Sequence, residues 1–370
     1  MNRLELSWHN ALSIRRETGH LRQLRLSNEG LDFYSNDYLG LAGDIGFQQT
    51  IYEAIGRDTR LLTGSTGSRL ISGNSDVATE AEKLIASAHQ VEDALLFPSG
   101  YKANLALFSC IAGRHDTIIV DELIHRSIHD GCKMSTAQKW KFRHNDLNHL
   151  EDLLKKVRGN AIISVESLYS MDGDFAPLAA IAELGQKYQA GVIVDEAHAI
   201  GVFGKGLVHR AGLQQDILAT VVTYGKAMGV QGAAVLGTHL LKKYLVNFAA
   251  PFIYSTGMPG VQLVSITAAY DYLERHQQLA VTLQERIRHF RKYRLSSRSQ
   301  DSSPIQSVQF QQEGGLRAVT QALANAGIRA YALFPPTVRD ERLRVSIHAF
   351  NSPDEIDTLC GIIENYAYRK

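Results

Sequence analysis

Four features stand where apolar runs of this chain stop, and together they could do amine–carbonyl chemistry. In "VVTYGKAMGV", Val221 and Val222 lead through Thr223, Tyr224 and Gly225 to Lys226, and small or apolar residues follow. An ammonium is costly to bury there without a partner, so the position suits either a surface turn or a desolvated amine used as a nucleophile. Asp195 closes the run "GVIVD" and is followed by Glu196, Ala197 and His198. A carboxylate at that place is often only a helix N-cap. His125, in "DELIHRSIHDG", follows another such run and offers a flat ring. "FPSGY", Phe97 to Tyr101, puts a Ser-Gly turn before a helical pattern, a natural cradle of backbone N–H groups for a phosphate. An amine for an aldehyde, an acid for a pyridine nitrogen, a ring to stack and a phosphate cradle are the parts of a pyridoxal phosphate site.

Such residues need elements that end together. "DTIIVDEL", "NAIISVESLYS", "GVIVDEAHA", "ILATVVTYGK" and "GAAVLG" read as strands, and "ALLFPSGY" ends a short apolar run in a turn. Between them "TEAEKLIASAHQV", "LNHLEDLLKKV" and "LAAIAELGQKYQA" have helical spacing. β-Branched runs alternating with amphipathic helices predict βαβ crossovers, hence an α/β domain with a mainly parallel sheet flanked by helices. Ligands of such sheets bind at the carboxyl ends of the strands. The spacing predicts one long helical stretch over "AAYDYLERHQQLAVTLQERIRHFRKYRL". Strand "SVQF", helix "GLRAVTQALANAG", strand "RLRVSIHA" and helix "SPDEIDTLCGIIENYAYRK" then make a smaller α+β piece. The expected division is an N-terminal helical segment at 1–43, a large cofactor-binding domain at 44–270 and a C-terminal domain at 271–370.

Composition narrows the classes. The 370 residues are 45% hydrophobic and 21% charged, and Lys+Arg 39 against Asp+Glu 38 leave a net charge of +1. No basic field favours nucleic acid or a membrane surface. Cys110, Cys132 and Cys360 are scattered, with no metal-ligand spacing, so a reducing compartment is expected and no metal is. "MNRLELSWHNALSIRRETGHLRQLRL" is arginine-rich, but Glu5 and Glu17 interrupt it and no signal-type apolar core is present. It reads as a structural amphipathic helix, and the expected location is the cytoplasm. "D-E-A-H" also occurs in helicases, yet no G-x-x-x-x-G-K-[ST] loop exists here, which removes a nucleotide-dependent hydrolase.

The ordered set "SNDYLGL", "GSTGSRLISGNS", "FPSGYKAN", "ESLYSMDGD", "DEAHAIG", "TYGKAMGVQGAAV" and "IYSTGMP" resembles the α-oxoamine synthase family of fold-type I pyridoxal phosphate enzymes over nearly the whole chain. These enzymes condense an amino acid with an acyl thioester and release CO2. The resemblance implies Lys226 as the Schiff-base lysine, Asp195 as partner of the pyridinium, His125 as the stacking ring and His198 as donor to the phenolic oxygen. It implies a polar cofactor contact from Ser170, and phosphate contacts from Ser99, Gly100, Tyr101 and Thr223. Ser255 and Thr256 match a segment that reaches the phosphate of the neighbouring subunit, so a homodimer with shared sites is implied. Arg344 corresponds to the arginine for the substrate carboxylate, with Asn36 near it, and Arg22 to a contact with the acyl substrate. "GSTGSRLISGNS" could also be an ordinary loop, and Arg344 could serve only a local salt bridge. The small residues after Lys226, the "GAAV" strand and "SPIQSV" point within the family to L-alanine and a pimeloyl thioester, on CoA or acyl carrier protein, in biotin biosynthesis. A glycine- or serine-using relative is the alternative, since one methyl in a pocket is worth only about 1–3 kcal/mol. A non-catalytic subunit would be marked by loss of the lysine, and Lys226 is present.

Overall fold

In the computed structural model the described residues are 1–19, 21–24, 29–310, 314–335 and 338–366. The chain separates into two compact units, Met1–Leu31 and Asp32–Lys370. The first is built on the helix Arg3–Glu17, whose start is fixed by a capping box. Asn2 Oδ1 accepts from the Glu5 amide at 2.9 Å, and the Asn2 amide donates to the Glu5 carboxylate at 2.7 Å.

The second unit is organised by a seven-stranded sheet. Its strands, in chain order, are β1 (Asp93–Phe97), β2 (Thr117–Asp121), β3 (Gln138–Phe142), β4 (Ala161–Glu166), β5 (Gly191–Asp195), β6 (Ala219–Thr223) and β7 (Ala233–Gly237). Their order across the sheet is β1-β7-β6-β5-β4-β2-β3. β3, β2, β4, β5 and β6 run parallel, whereas β7 is antiparallel to both β6 and β1. The segment joining β6 to β7 is too short for a crossover helix, and a reversed strand is what such a link permits. β2, β4 and β6 are buried along their whole lengths, which accounts for their near-continuous Val, Ile and Ala content. The edge strand β3, "QKWKF", carries two lysines and lacked an apolar run in the sequence.

A second, antiparallel sheet is formed by β8 (Ile305–Gln309), β9 (Tyr331–Leu333) and β10 (Arg342–Ser346), in the order β9-β10-β8. The long helical stretch expected before it is two helices, Gly260–Arg275 and Gln278–Arg291. His276 interrupts them with φ −120° and ψ 46°. Its ring stacks 3.9 Å from that of Tyr272, and its Nδ1 sits 2.8 Å from the Tyr272 carbonyl, which also accepts from the His276 backbone amide at 3.0 Å. Among the described residues no helix is long and apolar enough to cross a membrane.

Candidate functional site

Four of the five parallel strands end in acids or hydroxyls: Asp121, Glu166, Asp195 and Thr223 are the last residues of β2, β4, β5 and β6. The turns that follow carry His125, Ser170, His198 and Lys226. One cavity of about 260 Å³ is lined by Ser99, Gly100, Tyr101, His125, Asp195, His198, Thr223 and Lys226, so eight of the residues singled out in the sequence share it. Asn104, Ser127 and Glu166 line it as well.

Lys226 is carried by a turn whose backbone returns on itself, the Val230 amide donating to Tyr224 O and the Gly229 amide to Lys226 O. Gly229 has φ +67°, and a Cβ there would lie 2.6 Å from Leu41 Cβ, so neither the backbone nor the space admits another residue. The Lys226 amine sits 2.9 Å from His198 Nε2. Burial pushes its pKa down to about 8, assisted by Arg344 and opposed by the charges of Asp195 and Glu166. Burial, with Lys226, Arg344 and His125 adding to it, drives the His198 pKa well below its ordinary value, and burial also lowers that of His125. Both imidazoles are therefore uncharged at neutral pH.

Asp195 is held by two donors, the Asn104 amide Nδ2 at 2.7 Å and the Ala197 backbone at 2.9 Å. Glu166 is its partner across the β4–β5 pairing, and burial together with the Asp195 charge raises its pKa to about 8. Asn104 Nδ2 also donates to Ser127 Oγ at 3.0 Å, and that hydroxyl lies 2.8 Å from His125 Nδ1. Asp195 and His125 are thus tied through one amide.

At the other wall the helix Gly100–Cys110 begins. Ser99 caps it, accepting from the Lys102 amide at 3.3 Å, which leaves the N–H groups of Gly100 and Tyr101 without helical partners. A Cβ on Gly100 would overlap Thr223 Cγ2, so helix and strand end approach as closely as a bare Cα allows. This is an anion cradle with the positive end of a helix behind it. Tyr101 donates to Asp130 at 2.6 Å and meets the His125 ring edge-on at 6.5 Å.

A buried network extends from His198. Tyr38 OH lies 2.7 Å from His198 Nδ1 and donates to Asn36 Oδ1 at 3.1 Å. Arg344, on β10, donates to Asn36 at 2.9 Å, Tyr38 at 3.3 Å, Ser346 at 2.8 Å and the Ser170 carbonyl at 2.7 Å. Burial pushes the Tyr38 pKa up to about 12, so its proton stays in place. Ser170 itself lines a neighbouring cavity of about 470 Å³ with Asp172, His144 and Arg342. Ser255 and Thr256 do not join the Lys226 cavity of the same chain; they line a separate one with Arg69 and Met258. Arg22 is exposed in the N-terminal unit.

Asn104, Tyr38 and Glu166 were not assigned roles from sequence. Tyr38 and Glu166 had a signal, lying in "SNDYLGL" beside Asn36 and as the last strand residue before "SLYS". Asn104 had only its place in "FPSGYKAN".

The residues fit pyridoxal phosphate by their donor set: an amine, an acid fixed by two donors, a free imidazole face and a helix-start cradle surround one cavity. Residues 28–363 match the family model described as aminotransferase class I and II. The 8-amino-7-oxononanoate synthase of Emericella nidulans is 37% identical over 374 residues, covering 93% of this chain and 91% of its own. The solved 8-amino-7-oxononanoate synthase of Francisella tularensis superposes with a TM-score of 0.78 at 29% identity, covering 91% of this chain and 97% of its own. A serine palmitoyltransferase structure holding PLP superposes with a TM-score of 0.87 at 25% identity, covering 99% and 98%.

Proposed function

The chain belongs to the aminotransferase class I and II family and within it to the α-oxoamine synthases, and from that premise we propose that it condenses L-alanine with a pimeloyl thioester to 8-amino-7-oxononanoate, releasing CO2, with pyridoxal 5′-phosphate as cofactor. The observation that carries this reading is the Lys226 amine, 2.9 Å from His198, in one cavity with Asp195 and the cradle at Gly100.

When bound there, the cofactor supplies an electron sink for charge that develops at the amino acid Cα. Asp195, held rigid by Asn104 and Ala197, is the acid for the ring nitrogen and keeps it protonated. His125 covers the ring face, and its neutral state lets it lie there without a charge to solvate. His198 would donate to the phenolic oxygen and Ser170 would make a polar contact to the cofactor, while Ser99, Gly100, Tyr101 and Thr223 would hold the phosphate. Ser255 and Thr256 reach the phosphate of the neighbouring subunit in a homodimer, consistent with their separation from the Lys226 cavity of their own chain. Arg344, steadied by Asn36, holds the amino acid carboxylate and so selects which Cα bond stands across the ring. Lys226 retains the cofactor at rest. As a free amine Lys226 would take the Cα proton, which a pKa near 8 allows at neutral pH. His125 would serve as proton donor or hydrogen-bonding partner where CO2 is lost, and Arg22 would meet the acyl thioester. The reaction takes place in the cytoplasm.

Glycine or L-serine in place of L-alanine is the second reading, favoured by the likeness to serine palmitoyltransferase. The test is absorbance of the protein loaded with pyridoxal phosphate, titrated with each amino acid, followed by pimeloyl-CoA and mass analysis of products. A response to L-alanine with formation of 8-amino-7-oxononanoate is expected. Turnover with glycine or serine alone would replace the substrate, and no binding of the cofactor at Lys226 would overturn the reading.

A further inference from the structure

Two loops each carry one side chain assigned to the cofactor, His125 and Ser170, and one imidazole joins them. β2 ends at Asp121, whose carboxylate accepts from the Leu123 amide at 2.8 Å and shapes the turn that leads to His125. β4 ends at Glu166 and runs into a hairpin closed by a bridge between Leu168 and Phe175. The tip of that hairpin offers the Ser170 carbonyl to Arg344 and the Asp172 carboxylate to Arg342.

His144 lies between the loops. Its Nδ1 is 2.9 Å from Asp121 Oδ1 and its Nε2 is 2.6 Å from Asp174 Oδ2. With a carboxylate on each nitrogen, only the doubly protonated ring can donate to both. Burial works against that charge, but the hydrogen bonds and charges of Asp121 and Asp174 outweigh it and lift the pKa to about 10. The ring meets Tyr169 edge-on at 4.5 Å. Asn145 reinforces the same span: its backbone amide donates to Asp121 at 3.0 Å, and its side chain to Asp174 at 2.9 Å.

We propose that His144 is a positioning residue that, by bridging Asp121 and Asp174, fixes the loop of His125 against the hairpin of Ser170 and thereby sets the guanidinium of Arg344. The inference rests on the reading of Arg344 as the carboxylate-binding group. His144 and Asn145 carry the polar link from Asp121 to Asp174 of the hairpin, so loosening it moves the carbonyl that orients Arg344 Nε.

The test compares His144→Gln, Asp174→Asn and, as reference, Arg344→Lys in the cofactor-loaded protein. L-Alanine binding is read from cofactor absorbance without thioester, with steady-state KM and kcat and the melting temperature alongside. Glutamine has one donating end and cannot serve both carboxylates, and the Asp174→Asn change leaves His144 with a single carboxylate. Each folded variant should weaken L-alanine binding by more than twofold and up to about 30-fold, the range of coupling through packed networks, with the thioester KM unchanged. Should either variant refuse to fold, the other decides. Nitrogen-15 spectra of histidine-labelled, cofactor-free protein should show one ring protonated on both nitrogens at pH 8. L-Alanine affinity within about twofold of wild type in a folded variant, while Arg344→Lys weakens it, would overturn the role of His144 alone. An unaffected affinity in Arg344→Lys would instead overturn the assignment of Arg344, and this inference with it. Absence of the doubly protonated ring would overturn the bridge.

Discussion

Arginine and lysine both carry a positive charge, so replacing Arg344 by lysine separates charge from geometry. A guanidinium has five N–H donors in a fixed plane. In Arg344, Nε donates to Ser170 O, one N–H of Nη1 to Ser346, and Nη2 to Asn36 and to Tyr38. One Nη1 hydrogen is left over, and the 3.3 Å contact to Tyr38 is the weakest of the set. On the proposed reading, an incoming carboxylate would take the spare Nη1 hydrogen and displace Tyr38 from Nη2. An ammonium has three donors radiating from one atom, and it cannot satisfy the Ser170, Ser346 and Asn36 acceptors and also present two hydrogens to a carboxylate. The loss is at least one charge-assisted hydrogen bond at a site 5% exposed, about 1.5–3 kcal/mol, or about 10- to 150-fold in affinity. The assay is the titration of cofactor absorbance with L-alanine, glycine and L-serine in Arg344→Lys, with the pimeloyl-CoA KM as control. All three amino acids should weaken by the same factor, because the carboxylate is common to them. A loss under about threefold, or a loss confined to one amino acid, would refute the reasoning, since the second pattern belongs to a pocket that senses the side chain.

The remaining predictions concern the cofactor and the free amine. Asn104→Ala strips Asp195 of a donor in a nearly closed site, and pyridoxal phosphate should be retained about tenfold less tightly in an ultrafiltration assay; wild-type retention would mean that the amide does not hold the acid. Gly100→Ala should lower both Tm and cofactor affinity because its Cβ overlaps Thr223 Cγ2, and adding Thr223→Ser should restore both; failure of that rescue would place the strain elsewhere. For Lys226→Met the sign follows from a folded-state pKa of about 8 set below the ordinary lysine value. Between those two values the unfolded chain binds the extra proton, so wild-type stability from this group rises with pH. The cofactor-free methionine variant should therefore melt above wild type at pH 7, with the gap closing as pH rises through 8 toward 10. A gap independent of pH would refute the desolvated amine.

Strand-end chemistry was legible because it interrupts a strong pattern. Asp195 and Lys226 each follow a run of β-branched residues, and a fully buried strand leaves no other place for a charge but its end. The direction of β7 was legible in principle too, since "YGKAMGVQG" is no crossover helix, yet a strand's hydropathy carries no sign of its direction. What failed were features whose cause lies far away in the chain. Asn104 sits on a helix among alanines and leucines, and its worth comes from a carboxylate on β5. The break at His276 is one residue's departure from helical backbone angles, an event below the resolution of a hydrophobic period.

The assigned roles divide the site residues into two kinds. Lys226, Asp195 and His125 are the residues proposed to meet the cofactor, and their types stand out against apolar surroundings. Tyr38, Asn104 and His144 act through hydrogen bonds to other site residues or to the loops that carry them, and each is a polar group in an ordinary local pattern. Their bonds nevertheless bind the site into a unit. Asn104 reaches Asp195 and, through Ser127, His125; Tyr38 lies between His198 and Arg344; His144 spans the two loops. A site in which the reacting groups are held by buried donors rather than by water keeps its geometry when substrate arrives, because no solvent has to reorient. That is why substitutions at the supporting residues should shift binding constants and pH behaviour while leaving the reacting groups themselves untouched.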